Sequence, residues 1–162
     1  MVVRDERVDF LRRSYFAVDG LWFVNCENSL GFEKALSLDE AVWKSMAKVQ
    51  ARKAREITGS KPGLKGLVTS LRLKFESEGW DVEFEEGKGE VRVRIIGCPW
   101  FSILEKSGRE HLEPVITEKI CKTEYPLWTG EFGDDISFSL EKASPGAGSC
   151  CMVFRHTREN GG

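Results

Sequence analysis

No stretch of the chain approaches the ~18 unbroken apolar residues of a membrane-spanning helix, which excludes an integral helical membrane protein. Positive charge is not in excess: 24 Lys and Arg face 26 Asp and Glu, a net charge of −2. A protein that grips nucleic-acid phosphates is expected to be basic, so that class is excluded as well. The amino terminus meets acids at Asp5 and Glu6 with no apolar stretch ahead of them, and no secretory signal is expected. Histidine is scarce, with His111 and His156 the only two. No CxxC pair, GxSxG, P-loop, HExxH, or GxGxxG with an acidic partner occurs. The glycines of Gly146-Ala147-Gly148 fall between two predicted strands, so they do not form a phosphate cradle ahead of a helix.

What is present suits a folded cytoplasmic protein. A chain of 162 residues with 41% hydrophobic residues is long enough for one domain and too apolar for disorder. A domain over residues 1–158 is predicted, with a flexible tail at 159–162. The five cysteines, Cys26, Cys98, Cys121, Cys150 and Cys151, are odd in number, which argues for free thiols rather than a disulfide framework.

Periodicity predicts helices first and strands second. Val8, Leu11, Tyr15, Val18 and Trp22 recur at helical spacing, with a kink expected near Gly20. Ser37-Leu38-Asp39-Glu40 reads as a capping box opening a second helix whose inward face is Val42, Met46 and Val49, ending at Gly59. A third helix is predicted over Leu64–Glu78, with Leu64, Leu67, Val68, Leu71 and Phe75 inward and Gly79 as its stop. The period then drops to two. Trp80, Val82 and Phe84, and then Val91, Val93 and Ile95, form a hairpin turned by Gly87-Lys88-Gly89. A helical interlude from Pro99 to about Lys122 precedes two more strands, one over Ile136, Phe138 and Leu140 and one over Cys150 to Arg155. The stretch Ser144 to Gly148 connects them. The resulting class is α+β, with N-terminal helices packed on an antiparallel sheet in the order ααα-ββ-αα-ββ.

Cysteine supplies the candidate chemistry. In Gly97-Cys98-Pro99-Trp100 a strand leads into a helix with proline at its first position, placing Cys98 at the N-cap. There the free amides and the helix dipole favour a thiolate, the form that ligates metal or attacks an electrophile. Cys121 is expected near a helix end, where a thiolate needs a metal or a cation. Cys150 and Cys151 alternate in a strand, so only one can join a given site. Met152 and Phe154 place Cys150 on the core face and leave Cys151 for a pocket. Three separated thiols, Cys98, Cys121 and Cys151, are then candidate ligands for zinc or iron with an open fourth position. The bland alternative keeps every cysteine and all five tryptophans as core packing in an interaction module. The run Lys48, Arg52, Lys53, Arg55 reads as a solvated helix face.

Several segments carry a resemblance: Phe16 to Phe23, Ala41-Val42-Trp43, Cys98-Pro99, Ser107-Gly108-Arg109-Glu110 and Ile120-Cys121. In this order they resemble small archaeal and bacterial proteins similar to the L-2-amino-thiazoline-4-carboxylic acid hydrolase family. The ending Gly148-Ser149-Cys150-Cys151-Met152-Val153-Phe154 resembles the 4-vinyl reductase domains, which are small-molecule-binding modules. Its aromatic residue comes one place late, so either Cys150 or Cys151 is the equivalent cysteine. The second resemblance implies a binding or sensory domain. The first implies opening of a cyclic amidine, with Cys98 as nucleophile or ligand and His111 or Glu124 as acid/base. Arg109 would clamp a substrate carboxylate, with Trp100 and Trp22 as further substrate contacts. The partner expected in either case is a small molecule, with neither nucleic acid nor membrane, and a homodimer is left open.

Overall fold

A computed structural model of the chain describes residues 5–142 and 149–157. The expected loop Ser144–Gly148 and tail 159–162 lie outside the described residues. Helix α1 (Glu6–Leu30) begins where the Asp5 carboxylate accepts the Arg7 amide at 3.0 Å. It runs unbroken through Gly20, where a kink was predicted. One interior glycine costs a helix roughly 1 kcal/mol, and α1 is tied down on both sides of it. Arg12 donates to Ser77 O at 2.7 Å and Glu76 O at 3.2 Å, at the carboxyl end of α3 (Leu64–Glu78). On the other side Phe23 packs against Phe32. The predicted inward stripe is also corrected: Val8, Leu11, Val18 and Trp22 are exposed, while Tyr15, Phe16, Asp19 and Phe23 turn inward.

Helix α2 (Phe32–Thr58) starts six residues before Asp39's neighbour Leu38, not at the capping box. Gly31, at φ 85°, is the sole residue between α1 and α2, and that left-handed angle lets the chain reverse in one step. Val42 and Val49 are exposed; the buried stripe is Ala35, Leu36, Trp43, Ala47, Ala51 and Ala54. Small alanines let neighbouring helices approach closely, which bulkier valines would prevent. Helix α3 has its predicted bounds and buried residues, and Gly79 ends it in the left-handed conformation.

The sheet is antiparallel throughout, in the order β1-β2-β4-β3: β1 (Asp81–Gly87), β2 (Glu90–Gly97), β3 (Ile136–Lys142) and β4 (Cys150–His156). Val91, Val93, Ile95, Met152 and Phe154 point to the helices and form the main core with α3 and Tyr125 and Trp128. The other face is polar around a buried Val153. There Arg94 meets Glu83 at 3.2 Å and Glu85 at 2.6 Å, and Arg92 pairs with Glu141.

Between β2 and β3 lie α4 (Pro99–Lys106), a 3-10 turn (Glu110–Leu112), α5 (Glu113–Ile116), a π turn (Thr117–Cys121) and α6 (Lys122–Gly130). The helical run therefore ends at Gly130 rather than at Lys122. It continues through Pro126, which has no amide for the helical bond to Lys122. This is an α+β fold, and among the described residues no helix is long and apolar enough to cross a membrane.

Candidate functional site

Two apolar clusters fail to meet. The larger backs the sheet, and the smaller joins Leu36, Trp43 and Ile120 to Tyr15, Phe23 and Trp100. A cavity of about 530 Å³ lies between them, within the size range of small-molecule sites. Phe16, Phe23, Trp43, Trp80, Trp100 and Phe101 are among its walls. Trp100 is the hub of this lining. Its ring meets Phe16 at 4.5 Å, Trp43 at 5.5 Å and Tyr15 at 5.8 Å, each edge to face. Ala17, Leu21 and Val24 of α1 line the cavity and are themselves exposed, so the cavity opens to solvent along that helix.

The inner wall is sulfur and buried polar groups. Cys98 caps α4, with Pro99 next to it at the helix start as predicted. The predicted thiolate does not follow. Burial pushes the Cys98 thiol up to about 11, against the lowering pull of the Phe101 and Trp100 amides. Cys121 sits in the π turn, mid-way along the helical run rather than at a helix end. Burial raises its thiol well above the usual range, and the neighbouring Glu124 carboxylate and the Cys98 and Cys150 sulfurs push in the same direction. Both thiols are part-accessible because the cavity itself reaches them; around it they are enclosed by apolar side chains.

Glu124 is 5% exposed and Tyr125 fully buried. Lys74 Nζ stands 3.0 Å from Glu124 Oε1 and 2.7 Å from Glu78 Oε1. The Glu78 contact is a hydrogen bond and the Glu124 contact an ion pair. Gln50 accepts from Lys74 at 3.2 Å, and the Trp80 indole donates to Glu78 Oε2 at 2.8 Å. Burial alone would lower the Lys74 ammonium, but Glu124 and Glu78 more than offset it, so Lys74 is held charged. Burial raises the Glu124 carboxyl, and Lys74 only partly opposes this. Tyr125 is among the lining residues; its hydroxyl is fully buried and has no hydrogen-bond partner.

Asp19 and Asp39 complete the wall on the α1–α2 side, and neither is among the site residues expected from the sequence. A signal for them exists. Asp19 follows Phe16 by three residues and precedes Phe23 by four, while Asp39 follows Leu36 by three and precedes Trp43 by four. Each therefore lies inside an inward apolar stripe. Burial raises Asp19 to about 6. It raises Asp39 to about 7, with the Asp19 charge adding to the rise and a hydrogen bond from Trp43 opposing it.

The fold thus brings Cys98, Cys121, Glu124, Arg109 and Trp100 to one cavity. It leaves out three residues that the sequence had placed with them. His111 is exposed and off the cavity wall. Trp22 is 69% exposed, on the neighbouring groove between α1 and α2. Cys151 faces the polar side of the sheet, while Cys150 lines the cavity, because the cavity lies on the core side of β4. The strand alternation was right, but the pocket was assigned to the wrong face. Cys98, Cys121 and Cys151 do not converge, and among the described residues no three His, Cys, Asp or Glu side chains could together hold a metal ion. His156 stands off the site too, 3.4 Å from Asp135.

Arg109 lines the cavity, but Glu27 of α1 already holds it at 2.7 Å, so it is not a free clamp for a carboxylate. No curated protein and no solved structure matches the chain. A family model does, over residues 2–129, which takes in α1 through most of α6 and so nearly all of the cavity wall. The chain belongs to this family, a family of unknown function (DUF6125).

Proposed function

We propose that the chain is a small-molecule-binding domain whose ligand is a largely apolar molecule with at least one hydrogen-bonding group. The observation that carries this reading is the 530 Å³ cavity itself, walled by Phe16, Phe23, Trp43, Trp80 and Trp100 and edged by the carboxyls of Asp19 and Asp39. The surrounding rings would bury the ligand's apolar body, and the polar groups of the wall would take its hydrogen-bonding group.

The cysteines belong to the wall of this site as neutral thiols. At neutral pH the raised Cys98 and Cys121 thiols are poor nucleophiles and poor ligands, which sets binding ahead of thiol catalysis. Trp43, Trp80 and Trp100 on the wall make ligand entry visible in tryptophan fluorescence. Titration with 1-decanol is expected to give a saturable change at one molecule per chain. A linear, non-saturating response would sink the reading.

A further inference from the structure

The charges around the cavity are unbalanced. Among the described residues Asp19, Asp39, Glu113 and Glu124 line it, against the single cation Arg109. Arg109 is engaged by Glu27, and Glu124 faces Lys74. Thr117 donates to Glu113 at 2.7 Å. Asp19 and Asp39 are different. Among the described residues neither makes an ion pair, and the neutral Trp43 indole is the polar group bonded to Asp39. The two carboxyls also line the adjoining groove of about 400 Å³ between α1 and α2, so they stand in the partition between the two spaces.

We propose that the cavity selects an organic amine, its ammonium against Asp19 and Asp39 and its apolar body among Phe16, Phe23, Trp43 and Trp100. This rests on the cavity being a ligand site, and it names the charge of that ligand. Carboxylates without a counter-ion in apolar surroundings are costly, and a cation is the ligand charge that relieves both at once. The raised values of Asp19 and Asp39 express that cost. An anion would meet four acids and one occupied arginine. The aromatic walls add in the same direction, since ring faces attract an ammonium.

Three probes sharing one body separate charge from shape: 2-(1-naphthyl)ethylamine, 2-(1-naphthyl)ethanol and 1-naphthylacetate, measured by calorimetry at pH 7.5. The amine is expected to bind about tenfold tighter than the alcohol, and the carboxylate weakest of the three. Asp19→Asn and Asp39→Asn should bring the amine down to the alcohol's affinity and leave the alcohol unchanged. Asp39→Glu, which keeps the charge, should keep the preference for the amine. Equal binding of amine and alcohol, or an amine affinity untouched by both asparagine variants, overturns the charge selection while the cavity reading stands. A preference for the carboxylate overturns it too. Failure of all three probes to bind overturns the cavity reading itself.

Discussion

Lys74 on α3 stands 3.0 Å from the Glu124 carboxylate on α6, beneath the cavity and away from bulk water. With Glu78 on the same ammonium, one buried cation serves two acids. The network is therefore asymmetric: losing the lysine strands two carboxylates, whereas losing Glu124 leaves a matched pair.

Lys74→Met should accordingly cost about 3–5 kcal/mol, because it leaves uncompensated buried charge. Glu124→Gln should cost far less, within about 1.5 kcal/mol. Urea unfolding of both variants at pH 7.5 checks the order. Equal losses would contradict the network's asymmetry.

The second prediction concerns pH. Asp19 and Asp39 have folded-state values raised to about 6 and about 7 from an ordinary 3.8. Between those limits the folded state binds more protons than the unfolded state, so stability is full below about pH 4 and falls as pH rises through 6–7. The groups that set this are the two acids facing each other from α1 and α2, with the Trp43 indole opposing on Asp39. Asp39→Asn should raise the melting temperature at pH 8 by about 3 °C, and the gain should fade by pH 4. Thermal melts across that range check it; a gain at pH 4 as large as at pH 8 would contradict the sign.

Thiol chemistry gives a third expectation. A Cys98 thiol at about 11 instead of 9.0 holds about a hundredfold less thiolate at pH 8, so its alkylation by iodoacetamide should be slower by about that factor than an ordinary thiol's. Mass spectrometry of peptides from timed alkylation reads the rate site by site. Fast labelling of Cys98 would restore the activated-cysteine reading that its N-cap position suggests.

The fold was legible where pattern and burial coincide. In α3 the residues Leu64, Leu67, Val68, Leu71 and Phe75 are both the apolar stripe and the buried one, and Gly79 stops the helix as its type predicts. The hairpin reads equally well, since Val91, Val93 and Ile95 alternate with outward Arg92 and Arg94. Legibility failed in α2, where the buried stripe is mostly alanine and the conspicuous Val42 and Val49 face out. Close helix packing selects small residues, which a search for bulky apolar ones passes over.

The site was half legible for a related reason. Cys98 stood out by its glycine-cysteine-proline setting, and it does line the cavity. Its protonation state is set by the burial that the whole fold imposes, which no local motif encodes. Cys151 was preferred over Cys150 because a pocket was expected away from the core, yet here the pocket is a gap within it. The α1–α2 aspartates become a pair only when two helices meet.

The most direct measurement is 1-decanol binding to the native chain beside Ala17→Trp, in which an indole would fill the mouth from an exposed position on α1. Ser107→Trp, exposed on α4's side of the cavity, is the companion variant should the first disturb the helix. Saturable one-to-one binding to the native chain, weakened at least about tenfold in a tryptophan variant with unchanged circular dichroism, is the predicted result. No saturable binding to the native chain, or equal binding with the mouth filled, would contradict a ligand site between the helices and the sheet.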